Sequence, residues 1–316
     1  MLGAAHKPGA MPLRPLGLGD IYDAAFRIIR FNPKATVGAA VLVAAFAMAI
    51  PVVVTAAVAL AVDFSADASG DDTAEIVSGV AVGGAFVLGT VLQYVGMIFV
   101  TGMVAHVAAA AAVGRRLSLA EAWAATRGTR WRLVGVTLLI GLIWLVVLGG
   151  YVGASVLLIV LIDWWVAALI WFVFSGAALV ALLCWTWIRV TYLAVPALAI
   201  ERIGVFAAIG RGYRLTRKQF WRTFGIGLLT VVITLVAAQI LTVPFSIVGQ
   251  VAGLAIPDTG VAVLVLVVVN ALGSVLATAF VAPFTSAVTS LQYLDQRMRK
   301  EAYDVELMTQ AGITTS

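Results

Sequence analysis

The chain is short of charge. Only 11% of its 316 residues are Asp, Glu, Lys or Arg, against about 25% in a soluble globular domain. Too few charged side chains remain to clothe a water-exposed surface, which excludes an ordinary soluble fold. Reactive side chains are scarce as well: there is one cysteine and there are two histidines. Cys184, in the apolar run LLCWTW, makes no intramolecular disulfide and has no metal-type spacing; it reads as a small buried hydrophobe. His6 and His106 stand far apart, and no nucleophile elbow or paired metal ligands accompany them. The glycines of GVAVGG (Gly79, Gly83, Gly84) read as small-residue helix contacts rather than a phosphate loop. Catalytic residues, cofactors and metals therefore have no sequence support. The N-terminal segment carries Pro8, Pro12, Pro15 and Pro33 and lacks the apolar core of a signal peptide. Met11, opening MPLRPLGLGD, is a second candidate start.

What the chain has is apolar length. Hydrophobic residues make up 63% of it, and the mean hydropathy is +1.08. Runs such as 35–62, 133–162 and 224–253 carry no charge, and each exceeds the roughly 20 residues that span a bilayer as helix. Continuous rather than alternating apolar runs argue against a β-barrel. The expected fold is all-α, a polytopic transmembrane helical bundle with six spans near 35–62, 76–112, 133–162, 164–195, 223–253 and 260–294. Pro51, Pro244 and Pro283 fall inside spans and are expected kink points. Residues 1–14 read as a disordered tail, 15–300 as one transmembrane domain, and 301–316 as a cytoplasmic C-terminal tail.

Charge placement orients the spans. All 20 Lys and Arg lie in the N-terminal segment, in 113–132, in 189–222 or after 296. The alternate connections hold Asp63, Asp67, Asp71, Asp72, Glu75, Asp163 and Asp258 and no basic residue. The positive-inside rule places both termini in the cytoplasm.

A repeat underlies this order. Aligning Gly38, Gly135 and Gly225 superposes Phe26, Trp123 and Tyr213, and likewise Arg30, Arg127 and Arg217. Trp131-Arg132 also matches Trp221-Arg222. Each block precedes two spans, so the chain reads as three hairpins, each preceded by a cytoplasmic-side amphipathic helix. In the first block Tyr22, Ala25, Phe26 and Ile29 share one face, and Asp23 precedes Arg27 in the favourable i,i+4 order. In the second, Ser118 and Glu121 form a capping-box pattern. Such helices lie along a membrane surface. Arg27, Arg30, Arg127, Arg132, Arg211, Arg214, Arg217 and Arg222 are then candidate contacts to anionic headgroups, with Trp131 and Trp221 as interfacial anchors. Basic residues distributed by topology, rather than gathered in one soluble module, argue against a nucleic-acid partner.

Polar residues inside the spans are few. Gln93, His106, Gln239 and Asn270 are candidates either for interhelical hydrogen bonds or for a polar path. Glu201, Asp295, Arg297 and Glu301 are candidates for a cytoplasmic ion-pair network closing the inner face.

Two stretches carry a family resemblance. YLAVPALAIERIGVFAAIGRGYRLTRKQFWRTFGIGLL (192–229) and SLQYLDQRMRKEAYDVELM (290–308) resemble motif blocks of the membrane domain of glycerophosphoryl diester phosphodiesterases. PLRPLGLGDIYDAAFRIIRFNPKATVG (12–38) extends the resemblance to nearly the whole chain. The matching positions are Pro196, Glu201, Arg211, Arg217, Trp221, Arg222, Asp295, Arg297, Arg299, Lys300, Glu301 and Asp304, and Ala302 replaces the family's usual glycine. The resemblance implies a standalone membrane part, of a kind common in actinobacteria, without the soluble catalytic barrel, and assigns no residue a catalytic role. Three functional expectations follow. The chain is a scaffold or accessory subunit in envelope or lipid handling, with anionic lipid and a membrane-protein partner or a second copy of itself as partners. Alternatively it is a permease for an amphiphilic substrate, or an enzyme subunit completed by a partner.

Overall fold

In the computed structural model the described residues are 9–65, 72–161, 165–310 and 312. His6 and the acidic residues Asp67, Asp71 and Asp163 lie outside them. Among the described residues there is no strand. The helices are α1 (Leu18–Phe31), α2 (Pro33–Ser65), α3 (Asp72–Ala112), α4 (Leu119–Ala125), α5 (Arg130–Leu161) and α6 (Trp165–Thr186). A π-helical turn, Trp187–Thr191, links α6 to α7 (Ala194–Glu201). The remainder are α8 (Val205–Thr216), α9 (Phe220–Ala255), α10 (Thr259–Glu301) and α11 (Tyr303–Gln310). Six helical stretches are long and apolar enough to cross a membrane: Pro33–Val58, Gly79–Ala112, Arg130–Val160, Leu169–Glu201, Phe220–Ala255 and Gly260–Glu301.

Local chemistry accounts for the helix boundaries. Ser118 caps α4 reciprocally with Glu121: the Glu121 N–H donates to Ser118 Oγ at 3.3 Å, and the Ser118 N–H donates to Glu121 Oε2 at 2.7 Å. Asp258 Oδ1 caps α10 by accepting the Val261 N–H at 2.9 Å. Pro51, Pro244 and Pro283 sit inside α2, α9 and α10, which run on through them. α10 also continues past residue 294, the expected end of the last span, to Glu301. It stops where Ala302 adopts the left-handed conformation, φ 51°.

α10 packs along α9, α2 and α3, and α3 packs against α2; α5 and α6 meet over a smaller area. Close approach of α2 and α3 depends on Gly89 and Gly96. A Cβ on Gly89 would stand 2.9 Å from Pro51 Cγ, and one on Gly96 would overlap Val43 Cγ1. Among the described residues no atom lies within 4 Å of a Cβ at Gly79, Gly83 or Gly84, so the contacts expected of these glycines are not found there. The small residues that matter, Gly89 and Gly96, lie roughly one and three turns beyond Gly84, where α2 and α3 converge.

Buried apolar side chains concentrate at one end of the bundle. They include Ile21 and Ile28 of α1, Val104 of α3, Leu133 of α5, Leu198 of α7 and Leu291 of α10. Elsewhere α5, α6 and α9 expose Leu142, Phe174, Ile240 and many similar side chains. Lipid tails are as apolar as leucine, so hydrophobic burial does not draw helices together inside a bilayer.

The disordered tail expected over 1–14 is corrected over 9–14. There the chain lies against the bundle: Met11 is fully buried, Leu13 nearly so, and the Ala10 N–H donates to Ala111 O at 2.8 Å. Three apolar side chains within six residues, Met11, Leu13 and Leu16, give this strap more to bury than its prolines suggest. The C-terminal tail expected from 301 likewise contains α11, which buries Tyr303 and Leu307.

Candidate functional site at the charged end

Two carboxylate-centred clusters organise the densely packed end. The first centres on Asp295, six residues before the end of α10, which has no exposed surface. Its Oδ1 accepts the Leu16 N–H at 2.7 Å. Arg222 Nη1 donates to its Oδ2, and Arg299 Nε donates to both oxygens at 3.0 and 3.1 Å. Those two guanidiniums also reach the Leu16 carbonyl, from Arg222 Nη2 at 2.6 Å and from Arg299 Nη2 at 2.8 Å. One residue of the N-terminal strap, Leu16, is thus held through both its N–H and its C=O by an ion triad joining α9 and α10. A buried carboxylate with this many charge-assisted donors is compensated.

The second cluster centres on Glu201 at the end of α7. Arg211 of α8 donates from Nε to both Glu201 oxygens at 3.0 Å and from Nη2 to Oε1 at 2.8 Å. The other edge of the same guanidinium binds Glu301, with Nη2 to Oε2 at 2.6 Å. The Tyr293 hydroxyl donates to Glu201 Oε1, and Arg297 pairs with Glu301 at 3.2 Å while stacking on Tyr303 at 3.7 Å. Hydrogen bonding to Glu301 first, and to Glu201 as well, raises the Arg211 pKa above its already high value against the opposing effect of burial. Four candidate network residues, Glu201, Asp295, Arg297 and Glu301, therefore fall into two clusters rather than one.

This changes the roles of two arginines. Arg211 and Arg222, expected at lipid headgroups, are committed to carboxylates, with side chains only 17% and 27% exposed. Arg132 is exposed and donates from Nη1 to the Arg202 carbonyl at 2.6 Å. Arg27 pairs with Asp23 at 3.0 Å. Arg30, Arg127, Arg214 and Arg217 are exposed, and their side chains have no ion pair among the described residues. Trp131 and Trp221 are 86% and 78% exposed at the starts of α5 and α9.

A residue that sequence reasoning passed over completes the picture. Arg189 lies in the π-helical turn, a distortion that collects at functional positions. Its Nη2 donates to the Arg217 carbonyl at 3.3 Å, and its guanidinium lies between the rings of Tyr213 and Phe220, 5.4 and 5.3 Å from their centroids. Its Nε and Nη1 are buried with no partner among the described residues. A cavity of about 420 Å³ opens beside it, lined also by Trp185, Arg217, Lys218 and Trp221. Arg222 is the one cation of this lining tied to a carboxylate. The signal was available: Arg189 is the sole charge between Asp163 and Glu201, and an ionisable residue so placed is a site candidate.

The polar path expected from Gln93, His106, Gln239 and Asn270 is not brought together. Gln93 Nε2 donates to Thr278 Oγ1 at 3.3 Å, joining α3 to α10. Asn270 Oδ1 accepts from Ser246 Oγ at 2.9 Å, joining α9 to α10. These pairs stand eight residues apart on α10, roughly 12 Å at the rise of an α-helix. Gln239 is exposed, and His106 Nε2 is buried without a hydrogen-bond partner among the described residues. Nor do three His, Cys, Asp or Glu side chains cluster as metal ligands among the described residues.

Comparison with known proteins finds no matching family model, no similar curated protein and no similar solved structure.

Proposed function

We propose that the chain is a non-catalytic integral protein of a bacterial plasma membrane, a scaffold or accessory subunit in envelope or lipid handling. On this reading the charged end faces the cytoplasm and engages anionic lipid. The observation that carries it is the imbalance at that end. Asp295, Glu201 and Glu301 are consumed by internal arginines, which leaves Arg189, Arg217 and Lys218 around an open cavity. A phosphate-bearing headgroup would supply the missing negative charge, and Trp185 and Trp221 suit the depth at which headgroups meet acyl chains. Three short helices, α1, α4 and α8, stand before α2, α5 and α9, in keeping with three repeated hairpin units entered from the membrane surface. The resemblance to the glycerophosphodiesterase membrane domain supports the same reading, and gives no reason to assign catalysis to this chain.

The test is lipid-dependent stability of the purified full chain in neutral detergent. Added phosphatidylglycerol should raise the unfolding midpoint, and phosphatidylcholine of the same chain length should not. Replacing Arg189→Met together with Lys218→Gln should remove most of that rise, measured against the variant's own lipid-free midpoint because the bond to the Arg217 carbonyl and the ring contacts are lost with the unpaired nitrogens. Equal stabilisation by both lipids would contradict the proposal.

A further inference from the structure

We infer that the groove beneath α1 is a site for one diacyl phospholipid with an anionic headgroup, distinct from the cavity beside Arg189. The inference rests on the reading that the charged end engages anionic lipid, and it names a place and a ligand for that contact.

Two openings meet at Arg30. The first, about 350 Å³, lies under α1 between α2, α9 and α10, within the ~300–1,000 Å³ typical of small-molecule sites. Phe26, Val37, Ile233, Ala237, Phe280 and Phe284 supply its apolar wall. Only two side chains in its lining are polar, Arg30 and Thr234, and the Thr234 hydroxyl is already bonded to the Thr230 carbonyl at 2.8 Å. Phe26 and Phe284 meet at its head, with ring centroids 4.9 Å apart. The second opening, about 400 Å³, is lined by Arg27, Arg30, Phe31 and Arg116 together with the strap backbone at Gly9 and Ala10.

Their chemistries are complementary halves of one ligand. Tyr22 of α1 bonds the Ile226 carbonyl at 3.3 Å, which places α1 at that level of α9. Ile233 lies seven residues further along α9, roughly 10 Å deeper at the helical rise. The apolar groove therefore runs from α1 into the membrane-crossing part of the bundle, while the arginine pocket faces the charged end. Arg27 is balanced by Asp23. Arg116 stacks on Phe31 at 4.2 Å, and Arg30 has no ion pair among the described residues. No carboxylate lines either opening. An acyl chain in the groove would bring its phosphate to Arg30 and Arg116, two guanidiniums suited to bidentate phosphate recognition. A soluble anion would leave the groove empty, and a neutral lipid would leave the arginines unanswered.

Native mass spectrometry of the delipidated full chain, titrated with palmitoyl-oleoyl-phosphatidylglycerol, tests this. Wild type should retain one tightly held lipid. Arg30→Gln, at an exposed position with no ion pair among the described residues, should weaken that binding about tenfold, the equivalent of one lost charge-assisted contact. Ala237→Trp, which fills the groove, should weaken it comparably, and glycerol 3-phosphate alone should not bind at lipid-saturating concentration. Unchanged binding in Arg30→Gln overturns the proposal, as does tight binding of glycerol 3-phosphate alone. If Arg217→Gln with Lys218→Gln abolishes retention while Arg30→Gln does not, the general lipid reading survives and this site is wrong. If no variant alters retention and phosphatidylcholine binds equally, both readings fail.

Discussion

Replacing Asp295 should loosen both ends of the chain at once. Its carboxylate is fully buried and accepts from Arg222, Arg299 and the Leu16 N–H. Breaking a buried ion pair by removing one partner costs about 3–5 kcal/mol. Here the two arginines are 27% and 29% exposed and can be partly rehydrated, so Asp295→Ala should fall near the low end, about 3 kcal/mol. Asp295→Asn retains an oxygen for the Leu16 N–H and loses the charge, so about 2 kcal/mol is expected, in line with charge-assisted hydrogen bonds of ~1.5–3 kcal/mol each that do not add independently. The assay is reversible unfolding of the full chain in mixed detergent–SDS micelles, with hydrogen exchange at the Leu16 amide, which donates to Asp295, followed in parallel. Both variants should unfold at lower SDS, and exchange at the Leu16 amide should accelerate before global unfolding because the strap has lost its anchor. A double-mutant cycle with Arg222→Met should show coupling above about 1 kcal/mol. Asp295→Asn costing under about 0.5 kcal/mol, with exchange at the Leu16 amide unchanged, would refute the assignment of Asp295 as the strap's anchor.

Two further outcomes test the backbone and packing. Ala302 holds the left-handed conformation between α10 and α11, where a Cβ costs roughly 1–2 kcal/mol. Set against the greater freedom of glycine when unfolded, Ala302→Gly should stabilise by about 0.5–1 kcal/mol in the same SDS titration; destabilisation would show that the turn is held otherwise. Gly96→Ala should cost about 1–3 kcal/mol by overpacking against Val43, and Val43→Ala in the same chain should recover most of it. An additive double variant would place the loss elsewhere than at the α2–α3 contact.

The six apolar helices were legible in the chain because a bilayer admits so few solutions: backbone groups must be satisfied internally, and that demands long continuous apolar runs. The caps at Ser118 and the Asp23–Arg27 pair were legible for a related reason, since both partners lie within one helical turn. Long-range pairings were harder. That Asp295 would take Arg222 and the Leu16 peptide, and Glu201 would take Arg211, depends on how α7, α8, α9 and α10 converge. The same holds for the glycines: GVAVGG has the spacing of a helix contact, but Gly89 and Gly96 occupy the face of α3 turned towards α2. Spacing identifies a face; only the neighbour decides whether the face is used.

Taken alone, the sequence determined that the chain is helical, has six stretches able to cross a membrane, and segregates its basic residues between them. Those properties follow from composition and periodicity, which act locally. Tertiary structure alone decided which charges are spent and which remain. It buried the strap at Met11 and Leu16, enclosed Asp295, withdrew Arg211 and Arg222 from solvent, and left Arg30, Arg189 and Arg217 beside open cavities. The physical reason is that the effective strength of a charge depends on its solvation and its partners, and both are set by residues remote in the chain.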